Sequence, residues 1–450
     1  MIHTNTPAHP ARTLITRRAA IIASAILLAG QTTLAQTPTT PAPTPAVTAP
    51  PIKLTTLAPS TPDNLYDEVY TPSYPTEELD DIFQPVTPSI DSKSFDSPFQ
   101  ALLDKRRSLE EAIGLRLGFA YTMVFQQASA GPNSRTGTSG DIDFISDWTL
   151  IGRGTADTGR FVFTTEYRFK AGSDPASALR RNIGSLTATT GGFNDRGWVV
   201  RDAFWEQRLL EDHLRVQIGR SDISDYFGGY RLQSINNSFS NRAFSALATA
   251  PSPGHGMGAL ITLRPASVCY LTLAANNAYG RTTESDFGSL GENWDLFYAV
   301  EAGYTPTIKG MGRGRYAVAF WHVDARTDPN IPQDQGFTVI AEQDLNQTFY
   351  AFARYQYADT ALENIDYSVQ LGLGVNGLLG SPDNLSAIAY SYAEPATDGQ
   401  RDEKVVEAFH RWQLTRFTQF SLGMQGIFDP SNAPDDNALA VFTARFRIAF

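Results

Sequence analysis

Guanidinium and carboxylate groups recur at alternate positions of this chain's aromatic-rich stretches. Between Arg160 and Lys170 one side carries Arg160, Thr164, Glu166, Arg168 and Lys170, and the other Phe161, Phe163, Tyr167 and Phe169. Near the C-terminus Arg445 and Arg447 alternate with Phe446, Ile448 and Phe450. Opposite charges set out this way can hydrogen-bond a polar solute or tie one strand to the next. They would be costly in a dry core. Catalysis is harder to assemble from these residues. No Gly-x-Ser-x-Gly elbow positions a nucleophile. The 6 histidines include no His-x-x-x-His pair, so zinc chemistry is not indicated. His213, His322 and His410 are isolated, and His255 sits in the turn-like Pro253-Gly254-His255-Gly256. Cys269 is the single cysteine, which excludes an intrachain disulfide. A formal net charge of -11 lacks the basic excess of a nucleic-acid binder. Neither an enzyme nor a cofactor is expected.

The elements that must hold these residues are long strands. From Gly114 onward, alternation of period two dominates, as in Leu115, Leu117, Phe119, Tyr121, Met123 and Phe125 against Arg116, Gly118 and Thr122. A soluble sandwich also alternates, but its strands run about five or six residues. Here the runs reach roughly ten, the length of a tilted strand crossing a bilayer. About sixteen candidate strands follow, a number suited to a barrel with an aqueous lumen. They start near Leu115, Ile142, Arg160, Trp198, His213, Met257, Val268, Trp294, Arg315, Gly336, Gln347, Asp366, Leu385, Val405, Thr418 and Ala438. Residues 128–140 and 171–192 are expected as external loops. The non-alternating stretch from Ser221 to Gly256 is too long for a turn, and folding inward it would narrow a pore.

Ahead of the barrel, 1–35 reads as an export signal, with Arg12, Arg17 and Arg18 before the apolar run Ala19–Ala29. Residues 36–98 read as a Pro-rich, acidic periplasmic linker, and 99–113 as a short helix. The barrel is assigned 114–450. Its expected class is all-β: a transmembrane antiparallel barrel with an inward loop and a short N-terminal helix.

Several segments resemble the carbohydrate-selective porin family of Gram-negative outer membranes, the OprB type. They include Arg201-Asp202-Ala203-Phe204, Leu214 to Arg220, Asp225-Tyr226-Phe227 and Gly254 to Ala259. Glu407-Ala408-Phe409-His410-Arg411-Trp412 and the Arg445-Phe446-Arg447 ending also match. Each piece is short; their order along roughly Phe99 to Phe450 carries the resemblance. It implies an outer-membrane porin that passes glucose-like sugars by diffusion, without cofactor or energy source. On that reading the pore-lining candidates are Glu166, Arg168, Arg201, Arg215, Arg220, Asp222, Asp225, Arg231, Arg354, Glu407, Arg411, Arg445 and Arg447. Trp205 and Trp412 are candidate stacking platforms for sugar rings, with lipid-facing positions as the alternative. For any single arginine, a salt bridge bracing the wall is favoured over solute contact. Asp222 and Asp225 are better suited to anchoring the loop than to binding.

Two other readings stay open at this point. A barrel hydrolase would need a Ser–His or carboxylate–His pair meeting on the barrel. A structural barrel would be tied to the cell wall, through peptidoglycan, by residues 36–98. Expected partners are carbohydrate solutes, outer-membrane lipid, the outer-membrane assembly machinery, and a second copy of the chain in a homo-oligomer.

Overall fold

The alternating residues become sixteen long strands in a computed structural model, which describes residues 77–284, 294–326 and 330–450. All of these belong to one of two compact units, 64–450. The expected export signal, and the linker as far as residue 76, lie outside the described residues. The first eight strands are β1 (Leu115–Ala128), β2 (Thr136–Ile151), β3 (Gly159–Lys170), β4 (Gly197–Leu209), β5 (Leu214–Asp222), β6 (His255–Ala266), β7 (Cys269–Asn277) and β8 (Leu296–Tyr304). The remainder are β9 (Gly312–Val323), β10 (Asp334–Asp344), β11 (Phe349–Ala358), β12 (Ile365–Asn376), β13 (Leu385–Pro395), β14 (Glu403–Gln413), β15 (Thr418–Phe428) and β16 (Ala438–Ala449). Thr307–Ile308 forms a two-residue ladder with the start of β9.

Each strand pairs antiparallel with its chain neighbours, and β1 pairs with β16 from Ala120↔Ala449 to Ala128↔Val441. Phe119 and Phe450 extend that seam by exchanging two backbone hydrogen bonds of 2.9 Å. Closure leaves no sheet edge in hydrocarbon, where each unpaired backbone group would cost several kcal/mol. Large apolar side chains stay exposed around the outside, among them Phe161, Ile218, Phe320, Leu371, Ile388, Met424 and Phe442. That is the surface of a barrel solvated by lipid. Among the described residues no helix is long and apolar enough to cross a membrane.

The expected strand starts fall on or near the observed ones. The largest displacement is at β2, which starts at Thr136, not Ile142. Its upper part, Thr136 to Asp141, is rich in Gly, Ser and Thr and alternates weakly, yet it pairs in register with β1 from Gln127↔Thr136 to Thr122↔Asp141. The first loop is therefore 129–135, shorter than the expected 128–140.

The N-terminal side also differs from an extended linker ending at 98. A helix, α1, occupies Glu77–Phe83, and a second, α2, occupies Lys93–Ile113. Helix α2 runs through Pro98, whose missing N–H removes only one bond of the ladder. It ends at Gly114 in the left-handed conformation (φ 76°), which favours glycine. In α1 the apolar pair Leu79 and Ile82, three residues apart, is buried against β1 at Gly118, where a Cβ would lie 2.6 Å from Leu79. Asp80 pairs with Arg116 at 2.6 Å. The chain then crosses the same end of the barrel to the turns after β12 and β14. Thr87 donates its N–H to Asp383 (2.6 Å), and Ser89 and Ile90 donate theirs to Gln413 and Leu414 (2.7 and 2.8 Å). Helix α2 returns along the seam, where Phe99 meets Phe417 and Phe450, and Arg106 donates to the carbonyls of Leu117 (2.8 Å) and Phe450 (2.5 Å). Phe450 is thus covered by a helix, while Phe442 and Phe446 on the same strand face lipid.

Candidate functional site

Two connections leave the rim and enter the lumen: 171–196, carrying the one-turn helix α3 (Leu179–Ile183), and 223–254, carrying α4 (Arg242–Ser245). Their apolar residues, which show no strand periodicity, make an internal core against one side of the barrel. Phe239 packs on Phe244 (5.0 Å between ring centres), Phe409 (5.0 Å) and Phe352 (6.2 Å), with Leu179, Ile183 and Tyr230 beside them.

Strand residues fasten these connections through their backbone. Glu407 accepts the N–H groups of Ser240 (2.8 Å) and Asn241 (2.9 Å). Glu403 accepts those of Leu186 (2.6 Å) and Thr187 (2.9 Å), plus the hydroxyls of Ser185 and Thr187. Arg445 donates to the carbonyls of Ser238 (2.6 Å) and Ile235. Arg354 donates to those of Ala243 and Ala246 (2.8 Å each) and lies over the Tyr230 ring. Arg315 joins Glu301 (2.5 Å) to the Gly229 carbonyl, and Glu301 also accepts the Gly228 N–H (2.7 Å).

An eccentric cavity of about 560 Å³ lies between the inner wall of β2–β6 and the two inward segments. The wall contributes Asp143, Glu166, Arg168, Arg201 and Asp202, with Asp222, Asp225, His255 and Arg447 completing it. Arg201 is placed by a β-bulge. Thr164 pairs with Asp202 and Thr165 with Val200, so Arg201 is the extra residue and shares the lumen with Asp202. Its guanidinium donates to Glu166 (3.0 Å) and Asp225 and lies 3.8 Å from Asp202. Arg168 pairs with Glu166 and lies 3.8 Å from Asp141. Arg447 donates to Thr122 (2.7 Å) and reaches Asp143 at 3.9 Å. The carboxylates of Asp141, Asp143 and Glu166 lie within 4.8 Å of one another, and guanidinium groups stand among them, as in an ion-pair network. His255 meets Asp222 at 3.2 Å.

The inward segments line the cavity differently. Segment 171–196 gives Thr190, Asn194 and Arg196, and the stretch after Asp225 gives Gln233, Ser234, Asn236, Asn237, Arg231 and Arg242, with no carboxylate. Arg231 pairs outward with Asp344 (2.6 Å), and Arg242 with Glu363 (3.4 Å). Arg196 is exposed and has no carboxylate partner among the described residues. Partial burial and the Arg168 charge lower its pKa from the ordinary guanidinium value.

Of the sequence candidates, Glu166, Arg168, Arg201, Asp222, Asp225, Arg231 and Arg447 meet at this cavity. The others do other work. Arg354, Glu407 and Arg445 hold the long inward segment, and Arg411 reaches its Asn237 carbonyl (3.3 Å). Arg215 grips Asp212 in a short turn (2.6 and 2.5 Å). Arg220 donates to the carbonyls of Val200 and Arg281 (2.8 and 2.7 Å). Arg354, Glu407, Arg445 and Arg411 satisfy protein groups because the long inward segment fills the lumen in front of them, and Arg215 and Arg220 because their partners lie in a turn and in neighbouring backbone. Trp205 and Trp412 stand on the lipid side of the wall, and neither lines the cavity. Asp143, Asp202 and Arg196 belong to the cavity and were not among the candidates. Asp143 follows from extending the β2 alternation, and Asp202 from recognising the bulge.

A Ser–His contact does occur: the Ser386 hydroxyl meets His410 Nδ1 at 2.7 Å. It lies on the lipid-facing side of β13 and β14. His410 Nε2 is buried without a partner, and Trp412 packs edge-on against the ring. Among the described residues no third group orients this pair, and the strand backbone around it is already hydrogen-bonded, leaving no oxyanion site beside it there.

Comparison with known proteins follows from this geometry. A family model described as "Carbohydrate-selective porin, OprB family" matches residues 139–450. Porin AaxA of Chlamydia muridarum (strain MoPn / Nigg) is 25% identical over 276 residues, covering 59% of each chain. Porin AaxA of Chlamydia trachomatis serovar D is 23% identical over 299 residues, covering 65% of this chain and 64% of that one. The chain thus spans about three-fifths of the length of the curated relatives it matches. The high-pH structure of Pseudomonas putida OprB superposes with a TM-score of 0.65 at 13% identity, covering 81% of this chain and 99% of that one, a likeness of fold.

Proposed function

Because this chain belongs to the OprB family of carbohydrate-selective porins, we propose that it passes glucose-like sugars across the Gram-negative outer membrane by passive diffusion. The observation that carries this reading is the polar cavity inside a closed, lipid-facing barrel. Its carboxylates accept from sugar hydroxyls, and its guanidinium, amide and hydroxyl groups donate to them. Family and fold are those of a channel, not of an enzyme. Of the aromatic residues at the cavity, Phe144 belongs to the lipid-facing side of β2 and Tyr230 is buried in the inward core, so sugar is held by hydrogen bonds without ring stacking. Such contacts are individually weak, as release on the far side requires.

Planar-bilayer recordings of the folded protein test this. Stepwise conductance that glucose or short oligosaccharides reduce supports it; absence of channel activity overturns it. The remaining proposals concern the N-terminal side and assembly. Residues 36–76 serve as a periplasmic tether toward peptidoglycan, the terminal aromatic strand is read by the outer-membrane assembly machinery, and the barrel associates with copies of itself. Deleting 36–76 should release the protein from sedimenting cell wall; equal retention would remove the tether.

A further inference from the structure

The charges around the cavity are not mixed evenly. Wall carboxylates outnumber wall arginines: Asp143, Glu166, Asp202 and Asp222 stand against Arg168, Arg201 and Arg447, and Asp225 of the inward segment is held by Arg201. The inward segments line the cavity with Arg196, Arg231 and Arg242 and, beyond Asp225, with no carboxylate; Arg231 and Arg242 also pair with Asp344 and Glu363, whereas Arg196 has no carboxylate partner among the described residues. A small solute crossing here meets the hydrogen-bond acceptors of the wall and the guanidinium donors of the inward segments, of which Arg196 has no carboxylate partner among the described residues. In a narrow space with low-dielectric walls such a field acts on the solute more strongly than in bulk water.

Resting on the porin reading above, we propose that this constriction favours sugar acids, polyhydroxylated solutes with a single carboxylate, over neutral sugars of equal size. The carboxylate turns toward Arg196 and Arg242 on the rim, and the hydroxyls donate to Asp143, Asp202 and Asp222 on the wall. A neutral sugar satisfies the wall equally well but leaves the Arg196 guanidinium to water and Arg242 to Glu363 alone. A neutral hydroxyl is a weaker partner for them than a carboxylate, which accepts a bidentate, charge-assisted pair. Arg196 is the foremost contact because no carboxylate pairs with it among the described residues and it is open to the cavity.

The test uses the full-length protein in planar bilayers at low salt, with current reduction by gluconate compared with glucose. The ratio of the two apparent affinities is the readout. The expected ratio is about threefold or more in favour of gluconate, the scale of one exposed ion pair. It should fall to about one in Arg196→Gln/Arg242→Gln, and also in wild type at 1 M salt, where the Debye length is about 3 Å. A ratio near one in the wild type at low salt overturns the proposal. So does a ratio that persists in the double variant or at high salt. Equal preference for a zwitterionic amino acid of similar size would also overturn it, by showing a filter for dipoles and not for sugar acids. A conducting channel that glucose reduces without any gluconate preference refutes this inference alone, whereas absence of conductance refutes the porin reading with it.

Discussion

Removing the Glu407 carboxylate should loosen the constriction without opening the barrel. Glu407 is 1% exposed and accepts two N–H groups of the inward segment at 2.8 and 2.9 Å. A hydrogen bond to a charged group contributes about 1.5–3 kcal/mol, and water admitted to the lumen would replace part of that in Glu407→Ala. A net loss of about 2–3 kcal/mol in the docking of residues 235–241 follows, which raises the undocked fraction of that tip by about thirty- to a hundred-and-sixtyfold. Arg445, Arg354 and the Phe239 cluster still hold the segment, so the change should be fluctuation and not release. Single-channel recording should show larger or noisier conductance, and trypsin should cut after Arg231 or Arg242 faster than in the wild type. The ladders from β1 to β16 are untouched, so heat-modifiable gel migration should stay that of a folded barrel. Wild-type conductance, noise and protease resistance together in Glu407→Ala would refute the clasp role.

Three further outcomes follow from the same contacts. Arg201→Ala removes the cation shared by Glu166, Asp202 and Asp225, so reversal potentials in a salt gradient should shift toward cations; an unchanged potential would mean Arg201 lies off the ion path. Deleting 77–92 withdraws Leu79 and Ile82 from Gly118 and frees the rim at Asp383 and Gln413, and should raise conductance while the barrel stays folded; equal conductance would show that this segment does not narrow the exit. In the short turn after β4, burial acts to raise Asp212, but hydrogen bonds from Arg215 and the charges of Arg264 and Arg208 outweigh it and hold the carboxyl below the usual range. A depressed carboxyl gives stability that is present above its unfolded-state value and is lost as pH falls through its folded-state value. The stability gap between wild type and Asp212→Asn should therefore hold constant from pH 7 to about 5 and close only below about pH 4, by no more than about 1 kcal/mol; a gap that closes nearer neutrality would contradict the pairing.

The barrel was legible in the sequence because alternation over long runs survives in every strand, and lipid outside and water inside enforce it. Where side chains are small, as in Thr136 to Asp141, the signal faded and the strand read as a loop. Alternation gives the face of a residue but not what occupies the space in front of it. Arg168 and Arg354 both point inward; one meets the cavity and the other meets the carbonyls of Ala243 and Ala246. That difference depends on Phe239, Phe244 and Tyr230, whose spacing follows neither strand nor long-helix periodicity and whose core forms only when two distant segments meet. Arg201 shows a further limit. In register with Ala203 and Trp205 it would face lipid, and only the bulge turns it inward. Helix α1 was hidden for a similar reason: Leu79 and Ile82 sit among acids in a Pro-rich stretch, and their apolar partner is the gap left by Gly118.

Solute should cross through the eccentric cavity between the β2–β6 wall and the inward segments. Ser234 is exposed on its rim, and Cys269 is the chain's single cysteine, so Ser234→Cys in a Cys269→Ser background offers one thiol facing the path. Attaching a bulky, charged thiol reagent in a planar bilayer should cut the single-channel current sharply and abolish the effect of glucose, while Cys269→Ser alone should not respond. Full current and full glucose sensitivity after complete labelling at residue 234 would place the path elsewhere and contradict the account.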